Sequence, residues 1–253
     1  MAQGGKHAFI TGGGSGIGLA IARALGAVQW RVTLAGRKAE RLRAAAATLD
    51  DVQVQAVDVT DAQAAENAIH AAADSLGPIQ LLVNNAGSVE SAPFEKTSLQ
   101  AWRESLDLNL MGTVHCIRSV LPDMKKVGHG RIVNIASTAG LIGFRYVSSY
   151  VASKHAVVGL TKALALELAN TNITVNAVCP GYTDTDIVAT AIHTIAKAAK
   201  RSESEVLANI IATNPQGRLI RPEEVAAAVI WLVSDEAAAV NGIALPIAGG
   251  EVS

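Results

Sequence analysis

The chain is short of charge, of cysteine and of long apolar runs. Aspartate, glutamate, lysine and arginine make up 17% of its 253 residues, against the ~25% usual in globular proteins. The signs nearly cancel, with 21 basic and 22 acidic side chains. That excludes the electrostatic footprint of a nucleic-acid partner or of an anionic membrane surface. With 50% hydrophobic residues, much apolar surface must be buried, either in a large core or between subunits. Cys116 and Cys179 are the only cysteines, too few for a disulfide framework and in keeping with a reducing, intracellular setting. The longest apolar run, Val225–Val233, is nine residues, about half the length of a membrane span. Met1–Lys6 leads straight into a short apolar segment with no long hydrophobic core, which reads against a signal peptide. The expectation is a cytoplasmic protein with no membrane partner. The histidines at 7, 70, 115, 129, 155 and 193 share no ligand spacing with cysteines or carboxylates, so no metal site is expected.

What is present is alternation. Short β-branched runs (Ala8–Ile10, Val32–Ala35, Val52–Val57, Ile79–Val83, Arg131–Ala136, Thr174–Val178, Gly242–Pro246) alternate with longer alanine-rich amphipathic stretches. The latter predict helices over Gly16–Val28, Ala39–Leu49, Ala62–Leu76, Leu99–Lys126, Ser148–Ala169 and Pro222–Ser234. This order predicts an α/β fold of the Rossmann type: a doubly wound parallel sheet of about seven strands with helices on both faces. No Pro/Gly/Ser linker divides the chain and no internal repeat is seen, so residues 1–253 read as one domain. Residues 182–221 carry two helical stretches and no strand, the placement of a substrate lid beyond a strand's carboxyl end.

Two constellations carry chemistry. The first strand ends in Thr11-Gly-Gly-Gly-Ser15-Gly-Ile-Gly18 and opens a helix. Gly12, Gly16 and Gly18 let the backbone approach a pyrophosphate, whose charge a helix N-terminus stabilises. A glycine loop alone also serves as an ordinary tight turn. The second strand ends in Gly36-Arg37, where dinucleotide folds usually place an acid for the ribose 2′-hydroxyl. An arginine there suits a 2′-phosphate, so NADP(H) is preferred and NAD(H) remains possible; an ordinary solvated arginine is the plain alternative. The second constellation is Tyr150 and Lys154, one helical turn apart. An ammonium beside the phenol is expected to lower its pKa and suit it to proton exchange with an alcohol. Ser137 follows a strand's carboxyl end and offers a hydroxyl to the same substrate oxygen.

Thr11–Gly18, Asn84-Asn-Ala-Gly87, Asn109, Ser137, Tyr150/Lys154 and Pro180-Gly181 occur together in an order and spacing that resemble the compact branch of the short-chain dehydrogenase/reductase family, over nearly the whole chain. The resemblance implies hydride transfer between a nicotinamide cofactor and a carbonyl or secondary alcohol, in a homotetramer. It implies catalytic roles for Asn109, Ser137, Tyr150 and Lys154. Gly12, Ser15, Gly16, Ile17 and Gly18 would cradle the pyrophosphate, with Arg37 at the adenosine end. Asp58 and Val59 would meet the adenine, and Asn85, Ala86 and Gly87 would sit against the adenosine ribose and the central sheet. Tyr150 and Lys154 would also touch the nicotinamide ribose, and Asn109 would hold a proton-relaying water. Pro180, Gly181, Thr183 and Thr185 would fix the carboxamide. Ala248 stands before Gly249-Gly250 where relatives often carry an acid, a departure that bears on C-terminal packing or subunit contacts.

The substrate is less constrained. Leu141, Ile142, Phe144, Tyr146, Ile187, Val188 and Ile192 mix with Arg145, Lys197, Lys200 and Arg201. The stretch from Asn214 to Gly250 is similar to bacterial 3-oxoacyl-thioester reductases and 3-hydroxyacyl-CoA dehydrogenases. Basic residues beside an apolar slot suit a CoA or carrier phosphate above an acyl chain, and equally describe a solvated surface. Aryl, alicyclic and steroid ketones stay open. So do an epimerase or dehydratase on a related fold, and a non-catalytic dinucleotide-binding sensor, although sensors typically lose the tyrosine or lysine kept here.

Overall fold

In a computed structural model, which describes residues 5–252 apart from the side chain of Ala198, seven strands form a single sheet in the order β3-β2-β1-β4-β5-β6-β7. These are β1 (His7–Thr11), β2 (Arg31–Gly36), β3 (Val52–Ala56), β4 (Leu81–Asn84), β5 (Gly130–Ile135), β6 (Ile173–Pro180) and β7 (Ala244–Ile247). Every pairing is parallel. The predicted strands are all present, with ends within two residues of those expected. The helices are α1 (Gly16–Ala27), α2 (Ala39–Ala46), α3 (Ala62–Leu76), α4 (Leu99–Leu106), α5 (Gly112–Val127), α6 (Ser148–Glu167), α7 (Asp186–Ala199), α8 (Glu203–Ile211) and α9 (Pro222–Leu232).

The two-residue period of a strand sorts the core into two layers. Ala8, Ile10, Leu81, Val83, Val133 and Ile135 pack on one face beneath α1, α2 and α9. Their neighbours Phe9, Leu82 and Ile132 pack on the other beneath α3, α5 and α6. Strands buried on both faces need continuous apolar sequence, which β4 to β6 largely supply. Two of their polar exceptions pair with each other. Asn84 donates to Asn134 at 2.9 Å, and Asn134 donates to Thr161 of α6, also at 2.9 Å. This ladder ties α6 to the middle of the sheet and so fixes the helix that carries Tyr150 and Lys154.

One predicted element differs. The stretch read as a continuous helix over Leu99–Lys126 is α4 and α5 joined by a π-turn at Asp107–Met111. Asn109 lies at the register change, where its Nδ2 donates to the Ser105 carbonyl at 3.0 Å. π-turns of this kind tend to sit at functional sites. Residues 182–221 carry α7 and α8 and no strand, with an isolated parallel bridge between Thr183 and Ile220 closing the stretch. These helices pack on each other through Ile192, Ala196, Val206 and Ile210.

Candidate active site

The sheet order reverses between β1 and β4, and there the carboxyl ends of the strands open onto a cleft of about 410 Å³. An α/β sheet leaves its binding crevice at such a switch point because the flanking connections run in opposite directions. Gly12, Ser15, Gly16 and Ile17 border the cleft. So do Gly36, Arg37, Asp58, Val59, Asn85, Ala86 and Gly87, and at the far end Ser137, Tyr150, Lys154, Pro180, Gly181, Thr183 and Thr185. Gly18 lies behind the loop and Asn109 behind Gly87.

The loop fits a dinucleotide by its backbone. Gly12 (φ +64°) and Gly16 (φ +51°) lie in the left-handed region, which side chains rarely adopt. A Cβ on Gly18 would collide with the Gly12 carbonyl and stand 2.6 Å from Asn85 Nδ2. The first turn of α1 holds no acidic residue, and Ser15 makes no side-chain cap, leaving its amides to an anion.

Asn85 borders the cleft and its side chain reaches across to the end of β1. Its Nδ2 donates to the carbonyls of Thr11 at 3.0 Å and Gly12 at 3.2 Å. The backbone amides of Asn85 and Ala86 both donate to Thr11 Oγ1 at 2.9 Å. The Asn84–Gly87 motif thus acts first as a clamp on the glycine loop, with Ala86 and Gly87 facing the cleft. Arg37 stands 4.0 Å from Asp58 in an exposed pair. Asp58 is itself held by Thr60, whose amide and hydroxyl both donate to its Oδ1.

At the other end, Ser137, Tyr150, Lys154 and Asn109 converge. Ser137 Oγ accepts from the Ala139 amide at 3.1 Å, closing a short 3₁₀ turn over Thr138–Gly140. That turn is pressed onto α6, since a Cβ on Gly140 would lie 2.8 Å from the Lys154 carbonyl oxygen. Lys154 is buried and donates to the Ile135 carbonyl at 2.9 Å. Asn109 is buried as well. Its Oδ1 accepts from the Ser88 amide and its Nδ2 donates to the Ser88 carbonyl. A Cβ on Gly87 would stand 2.7 Å from Asn109 Oδ1 and 3.6 Å from Lys154 Nζ, so glycine keeps the space between those two groups open.

The electrostatics correct one expectation. Lys154 Nζ lies 5.6 Å from the centroid of the Tyr150 ring, over its face, and does not hold the phenol's pKa down. Burial pushes Tyr150 up to about 12, against a smaller downward pull from the Ser137 hydroxyl. Burial also draws Lys154 down to about 8. Desolvation disfavours the charged form of each, which raises an acid and lowers a base.

On the substrate side Ile187 and Val188 line the cleft, and Phe144 meets Tyr182 edge-to-face at 6.4 Å. Ile192 does not join the apolar slot, because it is turned into the α7–α8 contact. Arg145, Lys197, Lys200 and Arg201 are exposed. The C-terminal Gly249-Gly250 packs on Asn214 and Pro215. Sequence reasoning missed Arg41 and Asp186, which border the cleft and are hydrogen-bonded to each other. The available signal was a second arginine one turn beyond Arg37.

The family model described as short chain dehydrogenase matches residues 6–196. A solved structure of a single-residue variant of actinorhodin polyketide ketoreductase with NADPH superposes with a TM-score of 0.95, at 40% identity and covering 99% of each chain. A D-beta-hydroxybutyrate dehydrogenase of Rhizobium meliloti (strain 1021) is 36% identical over 97% of this chain and 98% of its own length. An acetoacetyl-CoA reductase of the same organism is 38% identical, again over 97% and 98%. With the switch-point cleft, the glycine loop and these relatives in agreement, the chain belongs to the short-chain dehydrogenase family and is an NAD(P)-dependent oxidoreductase that interconverts ketones and secondary alcohols.

Proposed function

We propose that the protein transfers a hydride between NADP(H) and the 3-position of a 3-oxoacyl or 3-hydroxyacyl thioester, with Tyr150 as the proton-transfer residue. The observation that carries this reading is the convergence of Ser137, Tyr150, Lys154 and Asn109 at one end of the cleft whose other end is the glycine loop. Nicotinamide, when bound, supplies or accepts the hydride. The chain's residues handle everything else. Ser137 Oγ and Tyr150 Oη hold the carbonyl oxygen, and a phenol at about 12 stays protonated at neutral pH, ready to donate to the alkoxide that develops as hydride arrives. Alcohol oxidation needs the phenolate and is favoured as pH rises. Lys154 orients the nicotinamide ribose and moves a proton toward the opening beside Asn109, where a water would relay it to solvent.

Gly12, Ser15, Gly16, Ile17 and Gly18 cradle the pyrophosphate. Asp58 and Val59 flank the adenine, Asn85, Ala86 and Gly87 the adjoining ribose, and Pro180, Gly181, Thr183 and Thr185 the carboxamide. Arg37 and the absence of an acid at Gly36 support NADP(H) over NAD(H). The 3-oxoacyl class is supported by relatives named for acetoacetyl-CoA and β-hydroxybutyrate and by Ile187 and Val188 at the cleft. On this reading, residues 182–221 close over an acyl chain as a lid. The protein works in the cytoplasm as a homotetramer, its contacts drawn from exposed apolar side chains such as Phe94, Leu99, Met111 and Leu166. Initial rates on a panel of acyl thioesters, 3-oxo acids and alicyclic and aryl ketones, each with NADPH and NADH, test the reading. Highest kcat/KM on a 3-oxoacyl thioester with NADPH is expected; highest kcat/KM on a cyclic ketone would replace the substrate class.

A further inference from the structure

The cofactor cleft holds a second arginine besides Arg37. Arg41, in the first turn of α2, borders the cleft beside Gly14, Gly36, Arg37 and Leu42. Its stem lies over the glycine loop, since a Cβ built on Gly14 would stand 3.3 Å from Arg41 Cγ. Gly13, Gly14 and Ser15 bring no cation of their own to that part of the loop. The guanidinium of Arg41 donates to the carboxylate of Asp186, the first residue of α7. The preceding residue, Thr185, sits against Gly16, where a Cβ would come within 3.0 Å of its Cγ2. The starts of α2 and α7 therefore meet across the mouth of the cleft through two exposed side chains of opposite charge.

Exposed ion pairs hold their partners together by no more than a few-fold. A phosphate dianion offers more charge than a carboxylate and accepts both arms of a guanidinium. We propose that Arg41 is a second phosphate-binding arginine, which together with Arg37 selects a 2′-phosphorylated dinucleotide, and that the phosphate displaces Asp186 from it. This rests on the NADP(H) reading above. Arg41 supplies from α2 the positive charge that the glycine loop lacks. Asp186 holds the guanidinium at the cleft mouth and gives it up to the stronger anion.

The test is calorimetric binding of adenosine 2′,5′-bisphosphate and of 5′-AMP, with no turnover involved. Wild type should bind the bisphosphate at least tenfold more tightly than AMP. Arg41→Gln should lose about ten- to a hundredfold in bisphosphate affinity, the range of one charge-assisted hydrogen bond, with AMP affinity within twofold. Arg41→Lys, which keeps the charge and loses the fork, should recover part of the loss. Asp186→Asn should tighten bisphosphate binding a few-fold in the wild-type background and not in Arg41→Gln. A gain that persists without Arg41 would mean simple repulsion by Asp186, and no gain at all would mean that the pair does not compete with phosphate; either overturns the exchange. A wild-type preference that survives Arg41→Gln but not Arg37→Leu sinks the role of Arg41 alone. Equal wild-type affinity for the two ligands sinks the NADP(H) reading, and this proposal with it.

Discussion

Replacing Lys154 with methionine should stabilise the protein at neutral pH while destroying its activity. The ammonium is buried with the Ile135 carbonyl as its hydrogen-bond acceptor, and burial draws its pKa from 10.5 to about 8. At ~1.4 kcal/mol per pKa unit, keeping that charge in the fold costs about 3 kcal/mol at pH 7. Methionine fills similar space without charge but leaves the Ile135 carbonyl without this donor, a loss of about 1 kcal/mol. A net gain of about 2 kcal/mol follows. The pH dependence is more diagnostic than the gain. Below pH 8 folded and unfolded chains both hold the proton, and the wild type bears the whole cost. Between about 8 and 10.5 the folded chain releases the proton while the unfolded chain keeps it, so wild-type stability rises relative to the variant. Above 10.5 the difference levels off, with the methionine advantage gone or reversed. Tyr150, raised to about 12, acts in the opposite sense above pH 10, but it is common to both proteins and cancels in the difference. Urea unfolding of both at matched protein concentration, from pH 7 to 10.5, measures the gap directly. A gap that stays constant across that window would refute the desolvation of Lys154.

Four further outcomes are expected. Gly18→Ala should cost about 1–3 kcal/mol and weaken dinucleotide binding in a calorimetric titration. Gly26→Ala in the same helix, where a Cβ meets nothing within 4 Å, should stabilise by about 0.5–1 kcal/mol in thermal unfolding. Gly36→Asp combined with Arg37→Leu should move the NADPH/NADH ratio of kcat/KM about ten- to a hundredfold toward NADH, as initial rates with each cofactor will show. Light scattering at micromolar concentration should give a tetramer of the 26.1 kDa chain; a stable monomer would reject that assembly.

The layer order was legible because it rests on patterns that a sequence states outright. Phe9 between Ala8 and Ile10 declares a strand buried on both sides, and the Gly12–Gly18 spacing declares a loop onto which a side chain would not fit. The π-turn at Asn109 was not legible, since the helical period of Leu99–Lys126 continues through it and the contact with the Ser105 carbonyl is made only in the fold. Nor was the direction of the Tyr150 shift. A tyrosine and lysine one turn apart on a helix say that the two groups are neighbours, but only the fold shows that Tyr150 is buried and that desolvation sets the direction of its shift. The grip of the Asn85 side chain on the carbonyls of Thr11 and Gly12 was not legible for a related reason: it depends on β4 lying beside β1. Arg41 and Asp186, 145 residues apart, meet only once the fold brings α2 and α7 to one rim.

The most direct measurement is on Tyr150→Phe, with NADPH affinity and ketone turnover determined on the same preparation. Losing a general acid should cut kcat by at least ~10²-fold, while NADPH binds within about threefold of wild type, because the Lys154 ammonium and the glycine loop are untouched. A phenylalanine variant that keeps most of its turnover would contradict the assignment of the proton to Tyr150, and with it the mechanism proposed for this cleft.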